Sequence, residues 1–413
     1  MMRILKFVYL HFLKNMKQTL DQAYRTFFGR GDRLYRLFSP YRVCPLGAHV
    51  DHQQGLVTGF AFDKGITFLF SGTDSGQVEM CSLSFEGLTT FSVRRSVDEP
   101  QRNWGDYLRG AVRAMQRDYH LERGVRGVVE GSMPIGGLSS SAALLCGFVM
   151  AVAKVNDLSL SQMQIIRYAS QAEREYVGLR NGILDQACVV LCEADKLLYL
   201  DTRTSSYQLL PFGDGSGPLP FSLGIFFSGV TRKLIGTDYN LRVAECKTAA
   251  WIMEAYENQP LRSLDETVLR DVDEAVFYRR QGEMPERFAR RARHFYSECA
   301  RVREGVQAWK AGDIAAFGQQ VFASCESSIH QYECGSPELI ALYEVMRQTD
   351  GIYGGRFSGA GFKGACIALV DPAKTEEIGQ RVREGYLARF PQYRESFEAF
   401  FCHPASGVGF IES

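Results

Sequence analysis

Between residues 42 and 52 the chain reads Arg-Val-Cys-Pro-Leu-Gly-Ala-His-Val-Asp-His, which gathers a guanidinium (Arg42), two imidazoles (His49 and His52) and a carboxylate (Asp51) around Pro45 and Gly47. Pro and Gly break regular structure, so these side chains read as a loop whose donors and acceptors suit a small molecule. A second stretch, Ser132-Met-Pro-Ile-Gly-Gly-Leu-Ser-Ser-Ser-Ala-Ala143, places Gly136 and Gly137, then Ser139, Ser140 and Ser141, at the head of a long apolar run. Glycines let backbone N–H groups approach a phosphate, and a helix N-terminus adds partial positive charge. A Ser-rich N-cap is the plainer reading, but three consecutive hydroxyls after Gly-Gly-Leu exceed what one cap needs.

Other chemistries compete for these residues. The chain contains no Gly-Lys dipeptide, which excludes a Walker-type phosphate loop. Gly359-Ala-Gly-Phe-Lys-Gly364 fits the dinucleotide pattern G-x-G-x-x-G, but the apolar run Ala-Cys-Ile-Ala-Leu-Val that follows reads as a strand, where a dinucleotide fold needs a helix. His49, Asp51 and His52 lie too close together on one loop to converge on a zinc ion without further ligands. The eleven cysteines form no C-x-x-C, and Cys188 and Cys192 fit one helical face better than a metal site. They read as reduced thiols of a cytoplasmic protein.

The elements that must hold these loops follow from periodicity. Residues 41–95 alternate short apolar runs with Gly, Asp and Ser turns and read as β-rich. Helical spacing is expected over Trp104–Tyr119, a strand over Val125–Ser132, and an apolar helix from the Ser run onward. Ser159-Leu-Ser-Gln162 fits a capping box for a helix reaching about Tyr176, with Glu173 near its end, and another helix is expected from about Gly182. Residues 211–220, Pro-Phe-Gly-Asp-Gly-Ser-Gly-Pro-Leu-Pro, are the most turn-rich stretch and mark a boundary between units spanning 20–212 and 220–413. The second half restarts with a strand near Ser222, long helices over Asn240–Glu257 and Pro285–Ala311, a Gly-rich turn at 351–364, a strand, and a helix from about Lys374. Strands and helices without regular alternation argue for an α+β fold in both halves.

Composition narrows the function. With 413 residues, 46% hydrophobic and 23% charged, the chain is long enough for two globular domains. Lys plus Arg (47) equal Asp plus Glu (47), so no net field draws nucleic acid. The opening residues 1–15 are apolar but interrupted by Arg3, Lys6 and Lys14, too short to span a bilayer and followed by no small-residue cleavage site. They read as an extension ahead of Met16, and the expected state is a monomer with no membrane partner.

Residues 42–52 resemble the sugar-recognition signature of galactokinases, a branch of the GHMP kinases, and Pro134 to Ala143 resemble the second motif of that family. Asn181-Gly-Ile-Leu-Asp-Gln186 is similar to its G-I-M-D-Q motif, and Arg356 to Gly364 to its third, Gly-rich motif; the likeness runs from about residue 36 to the C-terminus. It implies two α+β domains with the active site in the cleft between them, and ATP with Mg²⁺ as cofactors. Asp185 becomes the catalytic carboxylate and Arg42 its catalytic partner. Gly136, Gly137, Leu138, Ser139, Ser140 and Ser141, with Gly359 and Gly361, become ATP contacts, Trp104 lies near adenine, and Ser141 and Glu173 bind the metal. His49, Asp51, His52, Gly182 and Tyr239 become sugar contacts.

Two positions depart from the galactokinase pattern: Lys363 replaces a Gly, and Ala48 stands where galactokinases place a Glu that bonds the sugar's C6 hydroxyl. A C6 carboxylate would meet that Glu as a like charge at a cost of several kcal/mol, so Ala48 joins the substrate-binding positions. The resemblance is therefore to galacturonokinases, which phosphorylate D-galacturonic acid at the anomeric hydroxyl. His52, Arg180, Arg232 and Lys363 are candidates to receive the carboxylate. The alternatives are a galactokinase with a compensated Glu and a non-catalytic sugar and ATP sensor.

Overall fold

The computed structural model describes residues 19–29, 33–96, 99–230, 239–260 and 262–412; residues 1–15 and Arg232 lie outside them. The β-rich opening becomes β1 (Tyr35–Val43), β2 (Leu56–Thr73), β3 (Gln77–Ser82) and β4 (Leu88–Ser92). Further on come β5 (Gly124–Gly131), β6 (Lys196–Asp201), β7 (Ser206–Pro211), β8 (Ser222–Phe227), β9 (Ile352–Phe357), β10 (Ala365–Val370), β11 (Glu398–Cys402), β12 (Pro404–Ala405) and β13 (Gly409–Phe410). Nine of these strands form one sheet around the order β13-β1-β2-β5-β3-β4, with the β6–β7 hairpin and β12 attached to β2. The other four run β11-β8-β10-β9. Pairing is antiparallel except between β3 and β5.

Eleven described α-helices flank the sheets: α1 (Leu20–Phe28), α2 (Gly105–Met115), α3 (Ser140–Val155), α4 (Gln162–Gln171), α5 (Leu184–Leu191), α6 (Tyr239–Tyr256), α7 (Glu274–Arg280), α8 (Glu286–Lys310), α9 (Ile314–Ser327), α10 (Pro337–Gln348) and α11 (Thr375–Arg389). The fold is α+β. Helix α3 is apolar nearly all round and buried from Ala142 to Val149, so it anchors the Ser run that opens it to the core. Trp309 fastens α8 to the first sheet: its ring packs on Phe60 of β2 and on Phe212, Phe221 and Phe317, and its Nε1 donates to the Leu210 carbonyl of β7 over 3.0 Å. Burying an indole with its N–H satisfied is a strong seam.

Several elements differ from expectation. The capping box sits two residues further on, with Ser161 as cap and Gln164 returning the bond, because Ser159 and Ser161 both fit the same pattern. The helix expected to reach Tyr176 leaves α geometry at Gln171 and continues as a π-helical turn, Ala172–Val177, which carries Glu173. Single π turns inside helices often mark functional sites. The expected boundary at 211–220 lies where the chain passes from β7 to β8, and we propose it as the limit of the first unit. The span 220–413 does not stay in one sheet, however: Leu37 and Phe38 pair with Phe410 and Gly409, and Phe62 and Ala61 with Pro404 and Ala405. Among the described residues no helix is long and apolar enough to cross a membrane.

Candidate active site

Asp185 opens the first turn of α5 and faces β1, where Arg42 is 4% exposed. Arg42 Nε donates to Asp185 Oδ1 over 2.7 Å, and its Nη1 donates to the Gly137 carbonyl over 3.1 Å. The hydroxyl of Ser139 donates to the other carboxylate oxygen, Oδ2. This is one difference from the expected role of Ser139: its hydroxyl orients Asp185, and its backbone, with φ 54, turns the chain into α3. One cation, one hydroxyl and one carboxylate are thus locked together at the N-terminus of a buried helix.

The loop of Gly136 to Ser141, expected to take phosphate, is packed backbone against backbone with the Gly359–Gly364 turn. A Cβ on Gly136 would come within 2.9 Å of Gly364 Cα, and one on Gly359 within 2.9 Å of Gly137 Cα. Ser358 Oγ adds a 2.6 Å bond to the Gly137 carbonyl. Glycine is therefore required on both sides, and Gly361 keeps the turn with φ 77. Beside the loop, Trp104, Tyr107, Phe85, Leu144, Ser140 and Ser141 line an apolar cavity of about 130 Å³. Trp104 is half-buried there rather than sealed in the core.

Glu173 is 1% exposed. Its Oε2 accepts from Asn181 Nδ2 (2.8 Å) and Gln186 Nε2 (2.6 Å), and the Ser141 hydroxyl also bonds the carboxylate. Among the described residues its Oε1 has no hydrogen-bond partner, and neither have Asn181 Oδ1 and Gln186 Oε1. Burial, then the charge of Asp185, raises the Glu173 pKa. Buried acceptors without donors are costly, and a carboxylate and amide oxygens are what a hard divalent cation takes as ligands or as acceptors for its waters. The residues fit Mg²⁺.

Asp51 begins a 3₁₀ turn, Asp51–Gln53, and accepts from the N–H groups of His52 (3.0 Å) and Leu184 (3.3 Å). Burial, then Asp185, pushes its pKa up to about 6. Gly182 lies so close that a Cβ there would sit 2.5 Å from Asp51 Cγ. The Tyr239 phenol, at the start of α6, is raised well above its ordinary pKa by burial, then by the charges of Asp51, Asp185 and Glu173. His52 meets Tyr239 edge-on at 6.0 Å. His49, with φ 59, is buried, stacked on Tyr332, with its Nε2 3.5 Å from Cys334 Sγ.

Ala48 is clamped by α8. Glu298 Oε1 accepts from the N–H groups of Gly47 (2.8 Å) and Ala48 (3.2 Å), and His294 Nε2 donates to the Ala48 carbonyl over 2.9 Å. Burial opposes charge on Glu298, but Arg301, His294, Arg356 and a hydrogen bond from Ser324 pull its pKa down to about 2. Of the candidate cations, Arg180 borders a cleft of about 1040 Å³ that starts at Asp51 and Gly182 and runs out past Lys247; His52 lines it too, but burial holds its pKa down to about 3, so it is a neutral imidazole and not the expected cation. Lys363 is exposed on the Gly-rich loop, next to Gly364, which packs on Gly136. Sequence reasoning missed Glu298, His294, Asn181 and Tyr332. The signal for the first two was polar residues at i and i+4 among the buried positions of α8, which also include Arg291.

A family model described as GHMP kinases N terminal domain matches residues 106–193, and one described as GHMP kinases C terminal matches 303–388. A galacturonokinase of Arabidopsis thaliana is 38% identical over 376 residues, covering 86% of this chain and 87% of its own length. A galactokinase of Thermococcus kodakarensis is 33% identical over 374 residues, covering 90% and 99%. Among solved structures, Lactococcus lactis galactokinase complexed with galactose superposes with a TM-score of 0.86 at 25% identity, covering 94% of this chain and 98% of its own.

Proposed function

The chain belongs to the GHMP kinase family and is an ATP-dependent sugar kinase; from that premise we propose that it phosphorylates the anomeric hydroxyl of D-galacturonic acid, giving α-D-galacturonate 1-phosphate. The observation that carries the choice of sugar is Ala48. Its small side chain leaves the C6 end of the sugar site without the carboxylate that galactokinases place there, and the greater identity to a galacturonokinase points the same way.

Asp185 accepts a hydrogen bond from the anomeric hydroxyl and takes its proton as that oxygen bonds to the γ-phosphorus of ATP, while the bond from this phosphorus to the β–γ bridging oxygen breaks and ADP leaves. Arg42 and Ser139 fix the carboxylate for that contact. In a loose phosphoryl-transfer transition state proton transfer is late and positioning of the hydroxyl does most of the work. Asp51, His49, His52, Tyr239 and the Gly182 backbone orient the ring. Gly136 to Ser141, with Gly359 and Gly361, cradle the phosphates, and the cavity at Trp104 and Tyr107 receives the adenine. Mg²⁺ bound with ATP neutralises the phosphate charge, and Glu173 and Ser141 are the residues to hold it.

The test is turnover of galacturonate and of galactose by the purified protein with Mg·ATP. Faster turnover of galacturonate is expected. Faster turnover of galactose would sink the uronate assignment and leave the second reading, a galactokinase, which the galactose-complexed structural neighbour favours.

A further inference from the structure

Tyr332 belongs to none of the motifs that build the phosphoryl-transfer site, yet it touches both imidazoles of the sugar loop. It ends a π-helical turn, Ser328–Tyr332, and is wholly buried. Its ring lies flat on His49, with centroids 4.3 Å apart and planes inclined by 7°. Its Oη is 3.2 Å from His52 Nε2. The direction of that bond follows from the neighbours. Gln53 Oε1 accepts from the Leu269 N–H (3.0 Å), which fixes the amide, so Gln53 Nε2 donates to His52 Nδ1 (3.0 Å). His52 then carries its proton on Nε2 and donates it to Tyr332 Oη.

The turn that carries Tyr332 is itself fixed. Glu333 follows with φ 58, its carboxylate held by Arg290 (2.6 Å) and Arg291 (2.5 Å), and its carbonyl accepts from Arg242 of α6, the helix that begins with Tyr239. A rigid buried phenol therefore stands between His49 and His52.

We propose that Tyr332 is a positioning residue of the sugar site: its ring face sets the plane of His49 and its hydroxyl sets the rotation and tautomer of His52. This deepens the sugar-kinase reading and rests on it. Because Ala48 has no side chain to reach the sugar, ring recognition falls on His49, Asp51 and His52, and their orientation becomes the specificity of the site.

Tyr332→Phe keeps the stack and removes the hydroxyl, whereas Tyr332→Leu removes both. Tyr332→Phe is expected to raise KM for the sugar about five- to tenfold, as for one neutral hydrogen bond, with KM for ATP unchanged and a small fall in the melting midpoint from the unpaired His52 N–H. Tyr332→Leu is expected to raise it further. Nitrogen-15 NMR of the unmodified protein is expected to show His52 protonated on Nε2, with that N–H resonance displaced in Tyr332→Phe. Protonation on Nδ1, or a sugar KM that Tyr332→Phe leaves unchanged, overturns the proposal. A protein that turns over neither galacturonate nor galactose overturns the functional reading instead, and the His52 tautomer still decides this one.

Discussion

Asp185 is held on Oδ1 by Arg42 and on Oδ2 by Ser139, so its position is fixed before any substrate arrives. Asp185→Asn keeps the volume and removes the proton acceptor; kcat should fall by about 10²–10⁴-fold, the usual worth of a positioned acid or base. Its melting midpoint should fall as well, because Arg42 is 4% exposed and loses its counter-charge. Retained sugar phosphorylation in Asp185→Asn would remove Asp185 from the mechanism. At residue 48, Ala48→Glu should cut kcat/KM for galacturonate by about 100-fold or more, since a like charge in a poorly solvated wall costs several kcal/mol. Kinetics with galacturonate decide it, and an unaffected kcat/KM means that the C6 argument is wrong. Gly182→Ala should raise sugar KM while sparing KM for ATP, because the new Cβ would strike Asp51 at 2.5 Å; equal effects on both values count against Asp51 as a sugar contact.

At the scale of elements, the site is a loop pinned by a distant helix. His294 and Glu298, one turn apart on α8, hold three backbone groups of Gly47 and Ala48. Glu298→Gln strips the counter-charge from Arg301 and Arg356 in a fully buried setting, and should lower unfolding free energy by about 3–5 kcal/mol, read from urea denaturation. A loss below about 1 kcal/mol would mean that the clamp is structurally idle. What was legible in the sequence was local. Gly136 to Ser141 heading an apolar run, and the amphipathic spacing of α2, follow from periods within a few turns. The clamp and Tyr332 join residues about 250 and 280 positions apart, and no short-range pattern encodes such a meeting. The π turn at Glu173 was illegible for another reason: an extra residue in one turn leaves the surrounding apolar spacing almost intact.

For the whole molecule, buried titratable groups set the response to pH. Burial first, then neighbouring charges including His294 and Lys247, holds His52 down to about 3; burial brings His294 to about 4, and His49 lies well below 6.5. The unfolded chain therefore binds more protons below pH 6.5, and each imidazole removes about 1.4 kcal/mol per pH unit as the pH falls toward its folded value. Asp51, raised from 3.8 to about 6, and Glu173, also raised, act in the opposite sense, adding stability that is lost as pH rises through their folded pKa values. Three imidazoles outweigh two carboxylates. The urea midpoint should be lower at pH 5.0 than at pH 7.5, and an equal or higher midpoint at pH 5.0 contradicts the balance.

The strands that close the first sheet are made long after the strands they join. Strand β1 is paired with β2 on one side and, among the described residues, on the other only by β13 at Leu37 and Phe38, a strand that the ribosome delivers more than 360 residues later. At roughly 5–20 residues per second, that interval lasts some tens of seconds. Throughout it the nascent sheet shows an unpaired edge to any other extended chain nearby. The finished enzyme hides this edge under its own tail. Crowded synthesis, where many copies emerge from one message, is the moment at which this protein is most open to joining the wrong partner.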